Sequence, residues 1–207
     1  MKLFFCHCLA SMLCVFAAHA ESNRFIGGNI QIATGYQLNT PTLDNYSEKT
    51  ISTSNSNINA IPLVLGLGYS LSLNNSKVIG LSYERNLVDT NSASLSTTSS
   101  TATTGSSMAY TNQQRFSLIG GHLLNSYAMV YGKLGYASLT TTKADNNFDL
   151  SGYVIGAGYK SFLNNYQYVF AEYNHTRMPK ASLTVGTYTL DAKSVGHEFL
   201  IGVGLQF

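Results

Sequence analysis

The 207-residue chain has no tryptophan, and its three cysteines, Cys6, Cys8 and Cys14, all lie within the first 14 residues. Beyond them there can be no disulfide framework, no thiolate-held metal and no cysteine nucleophile, which leaves His and carboxylates as metal ligands. Charge is scarce as well. Lys, Arg, Asp and Glu make up 11% of the residues, against ~25% in soluble domains. The balance is 12 basic to 10 acidic, or 11 to 10 without Lys2, a formal charge of +1. That argues against nucleic acid as a partner, because nucleic-acid binding wants a basic stripe. A chain so poor in charge must keep much of its surface away from water or stay soluble by other means. Yet beyond residue 20 no apolar run reaches the ~20 residues that a membrane-spanning helix needs.

The first 20 residues stand apart. Lys2 gives a positive start, an apolar stretch follows over 3–18, and Ala18-His19-Ala20 puts small residues where a signal peptidase reads them. Polar Glu21-Ser22-Asn23 comes next. This layout predicts a cleaved secretory signal over 1–20 and a single domain over 21–207. Leu13 before Cys14 argues against a lipoprotein.

What is present is alternation, the period-2 mark of strands. Val195, His197, Phe199, Ile201, Val203, Leu205 and Phe207 point one way, and Gly196, Glu198, Leu200, Gly202, Gly204 and Gln206 the other. Eight such segments are predicted, over 24–36, 60–72, 77–88, 109–124, 127–140, 148–162, 166–178 and 194–207. Each is long enough for the ~9–11 residues of a tilted membrane-crossing strand. Their connections alternate in length. Tight turns rich in Asn, which tolerates positive φ, are expected at 73–76, 124–126 and 163–165. Long polar loops are expected at 37–59, 89–108 and 179–193, with a shorter one at 141–147. The Ser/Thr-rich stretch 90–107 can bury little apolar area and is expected to be mobile. Short turns on one side and long loops on the other, with an even strand count, predict an eight-stranded antiparallel up-and-down transmembrane β-barrel with both termini periplasmic.

A soluble barrel would alternate too, so the content of the polar face decides. It is rich in Gly and Ser, among them Gly66, Gly68, Ser82, Ser117, Gly156, Gly158, Gly202 and Gly204. A narrow eight-strand interior has little room for large side chains, whereas a wetted surface would favour Lys, Glu and Thr. The same face carries Glu84, Arg115, Lys133, Lys160, Glu172 and Glu198, three acids and three bases. Buried charges need partners, so Glu84 is expected to pair with Arg115, and Lys133 to reach Glu172 or Glu198. The other face is Ile, Leu, Val and Ala, with Tyr36, Tyr69, Tyr83, Tyr110, Tyr153, Tyr159 and Tyr173 towards strand ends. In the absence of Trp, these tyrosines are expected to form the interfacial girdles.

With these residues in view, the chain resembles the small outer-membrane barrels of the OmpX, OmpA N-terminal and opacity-protein type. The likeness rests on the final strand, which ends in an aromatic after apolar residues at every second position. It rests also on Tyr131-Gly132-Lys133-Leu134-Gly135-Tyr136, Gly156-Ala157-Gly158-Tyr159, Ala171-Glu172-Tyr173 and Gly196-His197-Glu198-Phe199. The resemblance implies a monomer in the bacterial outer membrane with a narrow or plugged lumen. It implies a structural or surface-contact role, with loops that could bind a host or cell-surface ligand. Phe199, Ile201, Val203, Leu205 and Phe207 would be the signal read by the barrel-assembly machinery. The alternatives are a narrow channel for small solutes, an adhesin acting through its loops and, last, a lipid A-modifying enzyme.

Enzymatic activity is not expected. His122, His175 and His197 are followed by Leu123-Leu124, Thr176-Arg177 and Glu198-Phe199, so none begins the His-x-Ser of a lipid A deacylase. No cofactor is implied, and no carboxylate cluster has metal-ligand spacing. One surface constellation remains. Arg85, His175, Arg177, Lys193 and His197 fall on the outward face near the extracellular strand ends. Such a cationic collar could contact lipopolysaccharide phosphates.

Overall fold

The structure, a computed structural model, describes residues 24–47, 50–55, 57–98, 103–143, 146–185 and 188–207. The 1–20 segment read as a secretory signal lies outside the described residues. The alternating segments become a pleated ladder of β1 (Gly27–Ser47), β2 (Thr50–Asn55), β3 (Ile58–Ala60), β4 (Leu63–Asn74), β5 (Lys77–Asn86), β6 (Thr90–Thr98), β7 (Thr103–Leu123), β8 (Ala128–Lys143), β9 (Asn146–Phe162), β10 (Gln167–Val185) and β11 (Tyr188–Gln206). The wall runs β11-β10-β9-β8-β7-β5-β4-β1. It closes where β1 pairs with β11, from Asn29↔Gln206 to Tyr46↔Thr189. Every pair in it is antiparallel, so this is a closed eight-stranded up-and-down barrel. Closure satisfies the backbone without exposed edges, which a strand in lipid requires.

The long connections expected as loops are instead continuations of the ladder. β2 and β3 pair with β1, and β6 pairs with β7 up to Thr98↔Thr103. The β8–β9 hairpin pairs up to Lys143↔Asn146 and β10–β11 up to Val185↔Tyr188. The stretch 90–107, expected to be mobile, is therefore paired over 90–98 and 103–107. Burying a core is not the only way to hold a strand. Thr-rich chain suits a pleat, and pairing with β7 gives the backbone of β6 hydrogen-bond partners along one side.

The three short turns share one device. Asn74 Oδ1 accepts from the Ser76 N–H at 3.0 Å, and Asn125 Oδ1 from the Tyr127 N–H at 2.8 Å. Asn164 Oδ1 accepts from Tyr166 and Gln167 at 2.9 and 2.8 Å. The asparagines thus act through side-chain Asx hydrogen bonds rather than through positive φ. Among the described residues, the non-glycine position with positive φ is Asn112, at 51°.

Asn112 marks a place where strict alternation misassigns a tyrosine. On β7 the register jumps from Thr111↔Thr140 to Gln114↔Ser138, so β7 holds one residue more than β8. Such a β-bulge flips the phase beyond it. Tyr110, expected on the lipid face, is consequently buried in the interior, its hydroxyl 3.1 Å from Ser194 Oγ. The other six girdle tyrosines keep to the outer side: Tyr36, Tyr83, Tyr153, Tyr159 and Tyr173 are exposed, and Tyr69 is half-buried.

Ile32, Leu118, Leu134, Ile155 and Ile201 form part of a continuous exposed apolar belt. A patch of that extent is a membrane or partner surface, not a wetted one.

Candidate functional site: the lumen and its outer rim

The lumen is filled in layers. At the periplasmic end Phe25, Met129, Tyr131, Phe162, Tyr168 and Phe170 pack together. Ring centroids of Phe25 and Phe162 are 4.9 Å apart edge to face, and those of Phe162 and Tyr168 5.6 Å. The glycines of the polar face make room for these rings. Tyr131, Tyr168 and Phe170 stand directly across from Gly158, Gly204 and Gly202 on the neighbouring strands. A Cβ at any of those glycines would overlap the facing ring.

Above this layer the six charged residues gather. Glu84, Lys133, Lys160, Glu172 and Glu198 are buried, and the Arg115 side chain is 12% exposed. Arg115 Nε lies 3.0 Å from Glu84, and Arg115 Nη1 also contacts Glu198. Lys133 Nζ donates to both Glu84 oxygens at 2.9 Å and to Glu172 at 2.6 Å. Asn174 Nδ2 donates to Glu172 at 2.8 Å and to Glu198 at 3.0 Å. Glu172, Lys133, Glu84, Arg115, Glu198 and Asn174 thus form a closed ring of charge-assisted bonds across the lumen, with strands β5, β7, β8, β10 and β11 each contributing. Tyr131 anchors it from below, its hydroxyl donating to Glu172 at 2.9 Å. Lys160 stands apart from the ring, its ammonium 4.1 Å from the Tyr168 ring centroid.

Above the ring sits a small amide chamber. Gln37 Nε2 donates to Gln113 Oε1 at 2.9 Å across the barrel. A cavity of about 30 Å³ is lined there by Gln37, Asn39, Asn86, Gln113, Arg115 and Glu198 among others. That is room for about two waters. Ile58, Tyr110, Ala137, Leu139, Leu150, Val154, Met178 and Ala192 close the outer end.

The interior aromatics and Asn174 were not singled out from the sequence. Their signal was parity: Tyr131 precedes Lys133 by two residues, Tyr168 and Phe170 precede Glu172 by four and two, and Asn174 follows it by two.

Of the proposed collar, four members gather on β10 and β11. His175 is paired in register with His197, and Arg177 with Val195. Lys193 lies further up β11, opposite Thr42. Arg85 is on β5, across the barrel, and donates to Asn112 Oδ1 at 3.3 Å. The five residues therefore do not form one contiguous patch. Phe199, Ile201, Val203, Leu205 and Phe207 all project outward, and Phe207 exchanges two backbone hydrogen bonds of 2.8 Å with Gly28.

Against known proteins, the family model of the outer membrane protein β-barrel domain matches residues 6–207. Comparison with curated proteins finds no match. Among solved structures the chain is similar to the outer membrane protein OprG from Pseudomonas aeruginosa. The two share 13% identity over 90% of this chain and 98% of that one, with a TM-score of 0.60. It is also similar to the outer membrane protease OmpT from Escherichia coli, at 10% identity, 91% and 99% coverage and a TM-score of 0.49. Neisserial surface protein A follows at 12% identity, 87% and 97% coverage and a TM-score of 0.48. At such identities the likeness speaks to fold alone, and OprG carries it.

Proposed function

Because the chain belongs to the outer membrane protein β-barrel domain family, we propose that it is a non-conducting barrel of the bacterial outer membrane that holds its long hairpins out from the cell surface as a contact platform. The observation that carries this reading is the filled lumen. An aromatic layer, a closed ring of charge-assisted bonds and an apolar cap follow one another along it, and the cavity above the ring is about 30 Å³. Buried ion pairs with every partner in place hold a single arrangement, and breaking one is costly. A permeant solute would have to do so.

The outer parts of β1, β7, β8, β9, β10 and β11, with β2, β3 and β6 beside them, are the platform's working surface. Their ligand is a host or cell-surface molecule. The outward apolar face meets lipid, and Arg177 and Lys193 beside the histidine pair meet lipopolysaccharide phosphates. The terminal run from Phe199 to Phe207 is the face read by the assembly machinery, and the barrel works as a monomer without catalysis. On the last point, His197 has its Nδ1 held at 2.6 Å by the Tyr173 hydroxyl rather than by a serine.

Planar-bilayer recording tests the reading. The protein is expected to insert without conductance steps above the lipid baseline, and reproducible steps would favour the narrow-channel alternative. Deletion of residues 90–107 should reduce binding to cells or matrix while the barrel keeps its heat-modifiable gel migration. Unchanged binding after that deletion would remove this hairpin from the contact surface.

A further inference from the structure

The cross-strand histidine pair at the outer rim has a geometry that neither the filled lumen nor the contact platform uses. His175 on β10 and His197 on β11 are direct partners in antiparallel register. Both project from the lipid-side face, with ring centroids 4.9 Å apart and planes inclined at 50°. Directly opposed residues on one face have Cβ atoms roughly 4.5–5.5 Å apart. From that base two imidazoles can converge on one ion. A tetrahedral ion with ~2.0–2.1 Å bonds to nitrogen needs its two nitrogens roughly 3.3 Å apart.

One of the rings is also pre-oriented. The Tyr173 hydroxyl, on β10 two residues before His175, lies 2.6 Å from His197 Nδ1. When the Nδ1–H donates to the tyrosine oxygen, the ring is held in place and Nε2 carries the lone pair that a metal needs. The flanking partners in the same row are Ile155 on β9 and Leu38 on β1, both apolar. No carboxylate stands at those two positions to serve a hard, oxygen-seeking cation such as Ca²⁺ or Mg²⁺. Arg177, two residues beyond His175, adds a positive charge nearby. An ion held there must gain its binding from nitrogen donation rather than from a field of negative charge.

The height fits as well. His197 is ten residues from Phe207 along β11. At ~3.3 Å per residue and a tilt of ~40°, that is roughly 25 Å, the thickness of a barrel's apolar band. The pair therefore stands where the outer leaflet meets water, among Tyr36, Tyr153 and Tyr173, and an aqueous ion can reach it. Among the described residues no group of three or more His, Cys, Asp or Glu is placed to hold a metal ion. A site built on this pair has two protein ligands and open positions for water, and it exchanges its ion.

We propose that His175 and His197 form a bidentate, exchangeable site for a borderline transition-metal ion of the Zn²⁺, Cu²⁺ or Ni²⁺ class, the ions that imidazole suits, with Tyr173 as the residue that positions His197. The inference goes beyond the contact-platform reading and does not rest on it. It needs only that this face point outward.

The test uses untagged protein extracted from outer membranes into a phosphate-free neutral detergent. Zn²⁺ is titrated by equilibrium dialysis and Cu²⁺ by electron paramagnetic resonance. The expected result is one saturable ion per chain, with a Cu²⁺ spectrum split by two equivalent nitrogens. His175→Gln and His197→Gln should each weaken binding at least tenfold, and His122→Gln should leave it unchanged. Tyr173→Phe should weaken it by about tenfold, the lower end of what losing such an orienting partner costs, and a merely structural tyrosine would not move it. His7 and His19 are alike in every sample. Should a variant lose its folded gel migration, the unsubstituted protein answers instead. Zn²⁺ should then protect His175 and His197, and not His122, from diethylpyrocarbonate, as mapped by mass spectrometry. Equal binding by the histidine variants, or equal labelling of all three histidines with and without Zn²⁺, would overturn the proposal.

Discussion

Removing the Glu84 carboxylate should be among the most damaging single changes in the barrel. Glu84 is 2% exposed and accepts from Lys133 through both oxygens and from Arg115 through one. Glu84→Ala leaves two cations in the core with one fewer anion. Deleting one partner of a buried pair typically costs about 3–5 kcal/mol. Here Lys133 keeps Glu172 and Arg115 keeps Glu198, which places the cost near the lower end, at about 3 kcal/mol. With a urea slope of about 1–3 kcal/mol/M for a small protein, the midpoint should fall by roughly 1–3 M. The assay is urea unfolding in lipid vesicles, scored by the folded band on an unheated denaturing gel. Adding Lys133→Met to Glu84→Ala should cost less than the sum of the two single changes, because the second removes a charge that the first left short of a partner. A midpoint shift below about 0.3 M for Glu84→Ala would refute the argument that this ring holds the barrel together.

The same titration gives the other expectations. Lys160→Met should lie within about 1 kcal/mol of the parent, because Lys160 is outside the ionic ring and losing its contact with the Tyr168 ring is offset by relief of a buried charge. A loss comparable to that of Glu84→Ala would make Lys160 a member of the network. Gly204→Val should cost about 1–3 kcal/mol by driving a side chain into the packed Tyr168 ring. Gly120→Val, at an outward position where a Cβ would meet nothing within 4 Å, should cost far less. Equal losses at the two glycines would mean that strand glycines matter here for backbone reasons alone. Asn164→Ala removes the acceptor of two turn hydrogen bonds and should lower stability by about 1 kcal/mol. No change would leave the Asx device without a role at that turn.

Much of this architecture could be read before any coordinates. Alternation at 195–207 and the short Asn-containing turns require only local chemistry, and a strand's side-chain period is fixed by its pleat. The division between Gly/Ser-rich and Leu/Ile-rich faces follows from the narrowness of an eight-strand interior. What was hidden is non-local. Nothing in the residues around Tyr110 announces the bulge at Asn112, because a bulge is a mismatch in count between two strands and β8 is needed to see it. The paired outer hairpins were hidden for a related reason. A segment such as 90–98 has no apolar stripe, and its order comes from a partner strand rather than from itself. The aromatic layer was legible by parity from Lys133 and Glu172, but that a narrow interior holds large rings depends on a glycine opposite each of Tyr131, Tyr168 and Phe170, which only the strand register shows. At the rim, the sequence grouped Arg85 with His175 and His197 by height. Only the strand order shows that β5 lies across the barrel from β10 and β11.

A non-conducting barrel needs a lumen closed to solutes. Ser82 and Ser117 are cross-strand partners on the inner face, 7% and 1% exposed, and no native cysteine follows Cys14. A cysteine fits either site, so the direct measurement is labelling of Ser82→Cys and Ser117→Cys in vesicles by a water-soluble maleimide. The filled interior predicts no reaction until the barrel is unfolded, whereas Leu134→Cys on the outer belt should react with a lipid-dissolved maleimide while folded. Prompt aqueous labelling of Ser117→Cys in the folded protein would contradict the closed lumen.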